Sequence, residues 1–269
     1  MKTIEFKNLT KEYIMDNQPG EFKIIKNNVD FYINIVLKEN NDKLVVFSNG
    51  AVNRSKKEPP IFMRSSWHEE INANCIFIDD RTLHGNNLSL GWGIGNEKRY
   101  FLHDYSQIII RISVLLNLNV NNIMYYGSSA GGFMSINLAT MHRGTTALVN
   151  NPQVIVNNYL PSHVNRLYRE LFPDMTPKEI LRKYTRRFSV IPLMRLKEYV
   201  PRIFYFQNRL CEQDMENHFN VFLKKLDFYK LDSSKIELIL YNNINSGHNP
   251  LPKNKTVFHI NNILDRISE

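Results

Sequence analysis

Between Phe22 and Leu37 apolar and polar residues alternate in two short runs, Phe22–Lys26 and Phe31–Leu37. That period of two marks strands with one covered face, and turn residues at Gln18-Pro19-Gly20 and Glu39-Asn40-Asn41-Asp42 bracket them. The pattern predicts antiparallel strands over residues 1–40. Beyond them the runs become continuously apolar: Lys43–Phe47, Cys75–Ile78, Ile123–Tyr126, Thr146–Val149, Ile203–Phe206 and Ile236–Leu240. Strands buried on both faces read this way. Stretches with helical spacing fall between and after them, at Tyr105–Leu118, Gly132–Thr140, Glu216–Lys230 and Lys255–Ile267. Strands alternating with helices predict a mostly parallel α/β sheet with right-handed crossovers and an antiparallel N-terminal edge.

The alternation breaks between Asn150 and Pro201, where short helices are expected, one beginning near Thr176-Pro177-Lys178-Glu179. We read 1–269 as one domain and 151–200 as a helical cap inserted within it. Charge sharpens that reading. The chain carries a net charge of +8, and residues 151–200 hold nine basic and four acidic residues. Arg182, Lys183, Arg186 and Arg187 are therefore candidates for binding an anionic substrate, against the plainer reading of a solvated helical face. No zinc-finger or RNA-binding signature accompanies the charge, so a nucleic-acid partner is not expected. Cys75 and Cys211 lie outside metal-ligand spacing, and no metal site is expected. The charged N-terminus lacks a signal-peptide core, and Ile108–Val120 is too short to span a bilayer. We expect a cytoplasmic protein with reduced thiols; the sequence leaves its oligomeric state open.

One turn carries chemistry. Gly127-Ser128-Ser129-Ala130-Gly131 follows an apolar strand and opens a helix, the context in which G-x-S-x-G places a nucleophile. Residues two before and two after the nucleophile must be small, because strand and helix approach closely there. Centring the turn on Ser128 would put Tyr126 at such a position, so Ser129 is the nucleophile candidate. A phosphate loop would need a Lys-Ser/Thr pair, and a dinucleotide site would need G-x-G-x-x-G; neither is present. The amide of Ala130 heads the helix and is a candidate oxyanion donor.

A serine hydroxyl needs a base. His248, in the turn after the last strand, occupies the base position of the chain order Ser…Asp/Glu…His. His218 falls within a predicted helix and reads as structural or as a substrate contact. After the strand Ile203–Phe206, Glu212 and Asp214 both qualify as the acid that orients the imidazole. We take Asp214, with helix capping as its competing role. The loop Ser48–Asn53 supplies the second oxyanion position, at Gly50 or Ala51.

These features together resemble the α/β-hydrolases over residues 43–267. Gly127–Gly132, Asn150-Asn151-Pro152-Gln153 and Ser246-Gly247-His248 further resemble bacterial proteins of that fold linked to surface glycans, among them capsule O-acetyltransferases. The resemblance implies acetyl transfer from acetyl-CoA to a carbohydrate hydroxyl through acetyl-Ser129, with no permanently bound cofactor. An esterase, deacetylase or peptidase on the same residues is the alternative, and a non-catalytic binding protein of the same fold a third.

Overall fold

The computed structural model describes residues 1–268. Nine strands form one sheet: β1 (Lys2–Glu5), β2 (Gly20–Lys26), β3 (Val29–Val36), β4 (Leu44–Phe47), β5 (Asn74–Ile78), β6 (Ile123–Ser128), β7 (Thr146–Asn150), β8 (Arg202–Asn208) and β9 (Ile236–Tyr241). Their spatial order is β1-β2-β3-β5-β4-β6-β7-β8-β9. From β5 to β9 every neighbouring pair is parallel, whereas β3 runs antiparallel to β2 and β5. In β2 and β3 buried and less buried residues alternate, while β4 to β7 are buried throughout. The change of hydrophobic period along the chain therefore marks the passage from a half-covered edge to a centre covered on both faces.

The N-terminus differs from the antiparallel arrangement expected there. β1 pairs parallel with β2, and helix α1 (Lys11–Asn17) provides the crossover that parallel pairing requires. The Thr10 hydroxyl caps α1 by accepting from the Tyr13 amide at 3.2 Å, and Ile14 anchors it in the core. A helix of seven residues is too short for a periodic signal.

Helices α2 (Phe101–Leu115) and α3 (Ala130–Met141) cover one face of the sheet. Helices α4 (Pro161–Leu171), α5 (Pro177–Phe188) and α6 (Val190–Lys197) lie between β7 and β8. Thr176 and Glu179 form a reciprocal capping box at the start of α5. The helix expected over Glu216–Lys230 starts earlier and forms in three pieces: α7 (Glu212–Asp214), a π-helical turn (Met215–Phe219) and α8 (Asn220–Phe228). Helix α9 (Lys253–Ser268) covers the opposite face with Trp67, over Phe47, Phe77 and Tyr126. No helix among the described residues is long and apolar enough to cross a membrane.

The connections that leave the neighbouring strands β4 and β6 run in opposite directions: β4 leads to β5 on one side and β6 to β7 on the other. In open α/β sheets the carboxyl ends at such a reversal form a crevice, because the two following loops diverge. Here those loops are Ser48–Asn53, after β4, and the turn at Ser129, after β6.

Candidate active site

Ser129 sits at φ +55° and ψ −124°, a conformation that a residue with a Cβ rarely adopts. Its backbone is held from several directions. The Ser129 amide donates to the Asn150 carbonyl at 3.2 Å, and its carbonyl accepts from Gly132, Phe133 and Gln153. Glycine makes the turn possible. A Cβ on Gly127 would lie 2.2 Å from the Gly131 carbonyl, and one on Gly131 would lie 2.7 Å from the Ser48 carbonyl. Strand, helix and the loop after β4 thus meet backbone to backbone.

The Ser129 hydroxyl lies 2.8 Å from His248 Nε2. His248 Nδ1 lies 2.8 Å from each carboxylate oxygen of Asp214. Both carboxyl oxygens therefore face the imidazole nitrogen remote from the serine, which favours the tautomer with Nδ1 protonated and Nε2 open to accept from Oγ. Asp214 is 4% exposed and lies within α7, where its side chain does no capping. Glu212 opens the same helix.

Buried asparagines hold the turn that carries His248. Asn151 is 1% exposed. Its Nδ2 donates to the carbonyls of His248 and Asn249, each at 3.1 Å, and its Oδ1 accepts from the Asn208 amide at 2.8 Å. Asn150 Oδ1 accepts from the Leu251 amide at 2.7 Å. Asn208 Nδ2 donates to the carbonyls of Asn243 and Gly247. Side-chain amides suit this task because each offers both donor and acceptor without a charge. Asn208 escaped the sequence reading, since a lone asparagine at a strand end resembles any turn residue.

Arg64 was likewise not anticipated. It adopts a left-handed backbone (φ +66°), and its Nη2 donates to the Ser128 hydroxyl at 2.7 Å. Its guanidinium lies 5.4 Å from the ring centres of both Trp67 and Tyr126. No sequence signal distinguishes it within the long connection between β4 and β5. Tyr159 brings its ring within 6.3 Å of His248 and stands edge-on to Trp92, whose indole donates to Gln153 at 2.6 Å. His218 lies in the π-helical turn beside Asp214. Burial pushes it down to about 4, with Asp214 acting against that shift and His248 with it, so it is neutral near pH 7.

Of the oxyanion candidates, Ala130 begins α3 and is buried, so its amide sits at the positive end of the helix dipole. Gly50 is buried, with the carbonyl of Ser128 3.5 Å from where its Cβ would stand; Ala51 is exposed. The basic candidates are not gathered around Ser129. Lys183, Arg186 and Arg187 line a cavity reached by Met141, at the far end of α3, roughly 18 Å along that helix from the serine. Arg182 does not line it. Among the described residues no group of His, Cys, Asp and Glu has an arrangement that holds a metal.

No protein-family model matches this chain, and no curated protein sequence matches it. Solved structures do. The capsule O-acetyltransferase of Neisseria meningitidis serogroup A superposes with a TM-score of 0.64 at 14% identity, covering 90% of this chain and 96% of that one. A histidine-to-alanine mutant of that enzyme, in complex with CoA, gives a TM-score of 0.61 at 13% identity, covering 90% and 95%. One of two fungal esterases from Rhizomucor miehei gives 0.60 at 13% identity, covering 96% and 88%. The fold is that of the α/β-hydrolases. Sheet order, the reversal at β4 and the turn after β6 all belong to that architecture. At these identities the likeness establishes the hydrolase fold and nothing finer.

Proposed function

We propose that this hydrolase-fold chain is a serine acyltransferase that carries an acyl group on Ser129, with an O-acetyltransferase acting on a bacterial surface glycan as its specific activity. The observation that carries the reading is the continuous hydrogen-bond chain from Ser129 through His248 to Asp214, on a turn whose strain exposes the hydroxyl. His248 Nε2 takes the Oγ proton as Oγ bonds to the acyl carbon, and the carbonyl electron pair moves onto oxygen. The amides of Ala130 and of Gly50 or Ala51 hold that oxyanion. Collapse expels the leaving thiolate, which takes the proton from the imidazolium. The acceptor hydroxyl then repeats the sequence in reverse, losing its proton to His248 as it takes the acyl group. Asp214 orients the imidazole and stabilises its cation throughout.

Acetyl-CoA as donor and a carbohydrate as acceptor are supported by the similarity to a capsule O-acetyltransferase that was solved with CoA, together with the sequence motifs described above. Residues 151–200 act in this reading as a cap beside the site, with Tyr159 facing the base. Two measurements test it. A fluorophosphonate probe labels the parent protein and fails to label Ser129→Ala. Incubation with acetyl-CoA releases thiol only when an acceptor glycan is present, and the glycan gains one acetyl mass. Thiol release into water regardless of glycan makes the protein an esterase. Absence of labelling in the parent protein rejects the nucleophile and leaves a binding protein of the hydrolase fold.

A further inference from the structure

We propose that the cleft between α5, α6 and the start of α2 is a binding site for a phosphorylated ligand, separate from the candidate site at Ser129. The cleft has a volume of about 440 Å³, within the range of small-molecule sites. Lys183, Arg186, Arg187 and Lys197 converge on it, and its ten lining residues include no carboxylate. Among the described residues none of these four cations is ion-paired.

Arg187 makes the case specific. It is half-buried, its Nη1 donates to the carbonyls of Asn96 at 2.6 Å and Arg99 at 3.2 Å, and its guanidinium stacks 4.5 Å from the Tyr184 ring centre. One face of a partly desolvated cation is thereby fixed by neutral groups, and no anion compensates the charge. The Tyr100 hydroxyl, also in the lining, is buried without a hydrogen-bond partner, and burial holds its proton in place. Every charged or hydroxyl group named here is a donor. The complementary ligand is an acceptor carrying several negative charges, which describes a phosphoester better than a single carboxylate. Met141, Leu193 and Tyr184 add apolar and aromatic surface, suited to the organic part of such a ligand.

Phosphoester chemistry has two sources under the function proposed above: the nucleotide portion of a coenzyme A thioester, or a phosphodiester-linked acceptor glycan. The site itself does not depend on Ser129 chemistry, so Ser129→Ala protein serves for the test and keeps the two proposals distinguishable. Isothermal titration with inorganic pyrophosphate is expected to give saturable one-to-one binding. Lys183→Gln/Arg186→Gln, both exposed positions, weakens it about tenfold or more. Arg182→Gln removes a charge from the same helix outside the cleft and changes affinity by about twofold at most. Repeating the titration with coenzyme A and with a phosphodiester-linked oligosaccharide identifies the source by which of them the double variant weakens. No saturable heat with pyrophosphate overturns the proposal, as does an equal loss in Arg182→Gln, which would mean diffuse surface charge alone.

Discussion

Asn151→Asp isolates the support of the candidate base from the base itself. The two side chains have nearly the same volume, and both tolerate the left-handed backbone found at this position (φ +45°). The substitution turns Nδ2, which donates to the carbonyls of His248 and Asn249 and lies 3.2 Å from the Tyr241 hydroxyl, into an acceptor. Two part-buried carbonyls lose their donor and face a carboxylate oxygen. At about 1–3 kcal/mol for each unpaired group, the turn loses about 3 kcal/mol of local stabilisation and relaxes away from Asn151. Misplacing a reacting group by about 1 Å lowers rates about a hundredfold. The assay is hydrolysis of an activated acetyl ester, with circular dichroism at the same temperature confirming a folded protein. We expect kcat to fall about a hundredfold with KM changed little. In a His248→Ala background the same substitution has almost no further effect on residual activity, because the group it positions is gone. Independent, multiplicative losses in the two backgrounds would refute the reasoning.

Asp214→Asn preserves the shape of the acid while favouring the imidazole tautomer that cannot accept from Ser129; kcat falls by roughly four orders of magnitude, measured as ester turnover. Gly127→Ala forces a Cβ to 2.2 Å from the Gly131 carbonyl. It lowers stability by about 3 kcal/mol or more in urea denaturation. Stability also depends on pH through buried groups. His142 and His218 are each pushed by burial from 6.5 to about 4, so from about 6.5 down to about 4 the unfolded chain binds more protons and stability falls with pH. Asp80, raised by burial from 3.8 to about 6, takes up its proton in the folded state first and stabilises as pH falls through about 6. One proton of net destabilisation is left, and His142→Gln flattens the urea-midpoint profile between about 6 and about 4; an unchanged slope contradicts this.

The α/β-hydrolase layout was legible because hydrophobic period follows burial: alternation at β2 and β3, continuous apolar runs from β4 to β8. The tight turn that carries Ser129 was legible for a related reason. The contact that demands glycine at 127 lies within five residues of chain, at Gly131 and Gly132, so the local motif records it, whereas glycine at 131 is demanded by the backbone of Ser48 and Asn49 across the fold. Helix α1 and the parallel pairing of β1 were not legible, because seven residues carry too few turns to show a period.

Tertiary structure decided whatever depends on segments meeting from far apart. Glu212 and Asp214 carry equivalent chemistry two positions apart, and only the direction of α7 turns Asp214 onto His248. Arg64 reaches Ser128 from a loop whose residues have no pattern of their own. Asn208 acquires its role by lying under a turn some thirty-five residues later. The basic residues of α5 form a local charge excess in the sequence, but helix packing carries three of them to a cleft near the far end of α3 and leaves Arg182 outside it. The sequence by itself thus determined the strained turn and the sheet that supports it, through short-range sterics and hydrophobic period. Which distant side chains face that turn was decided by the packing of helices and loops, whose contacts leave no periodic mark on the chain.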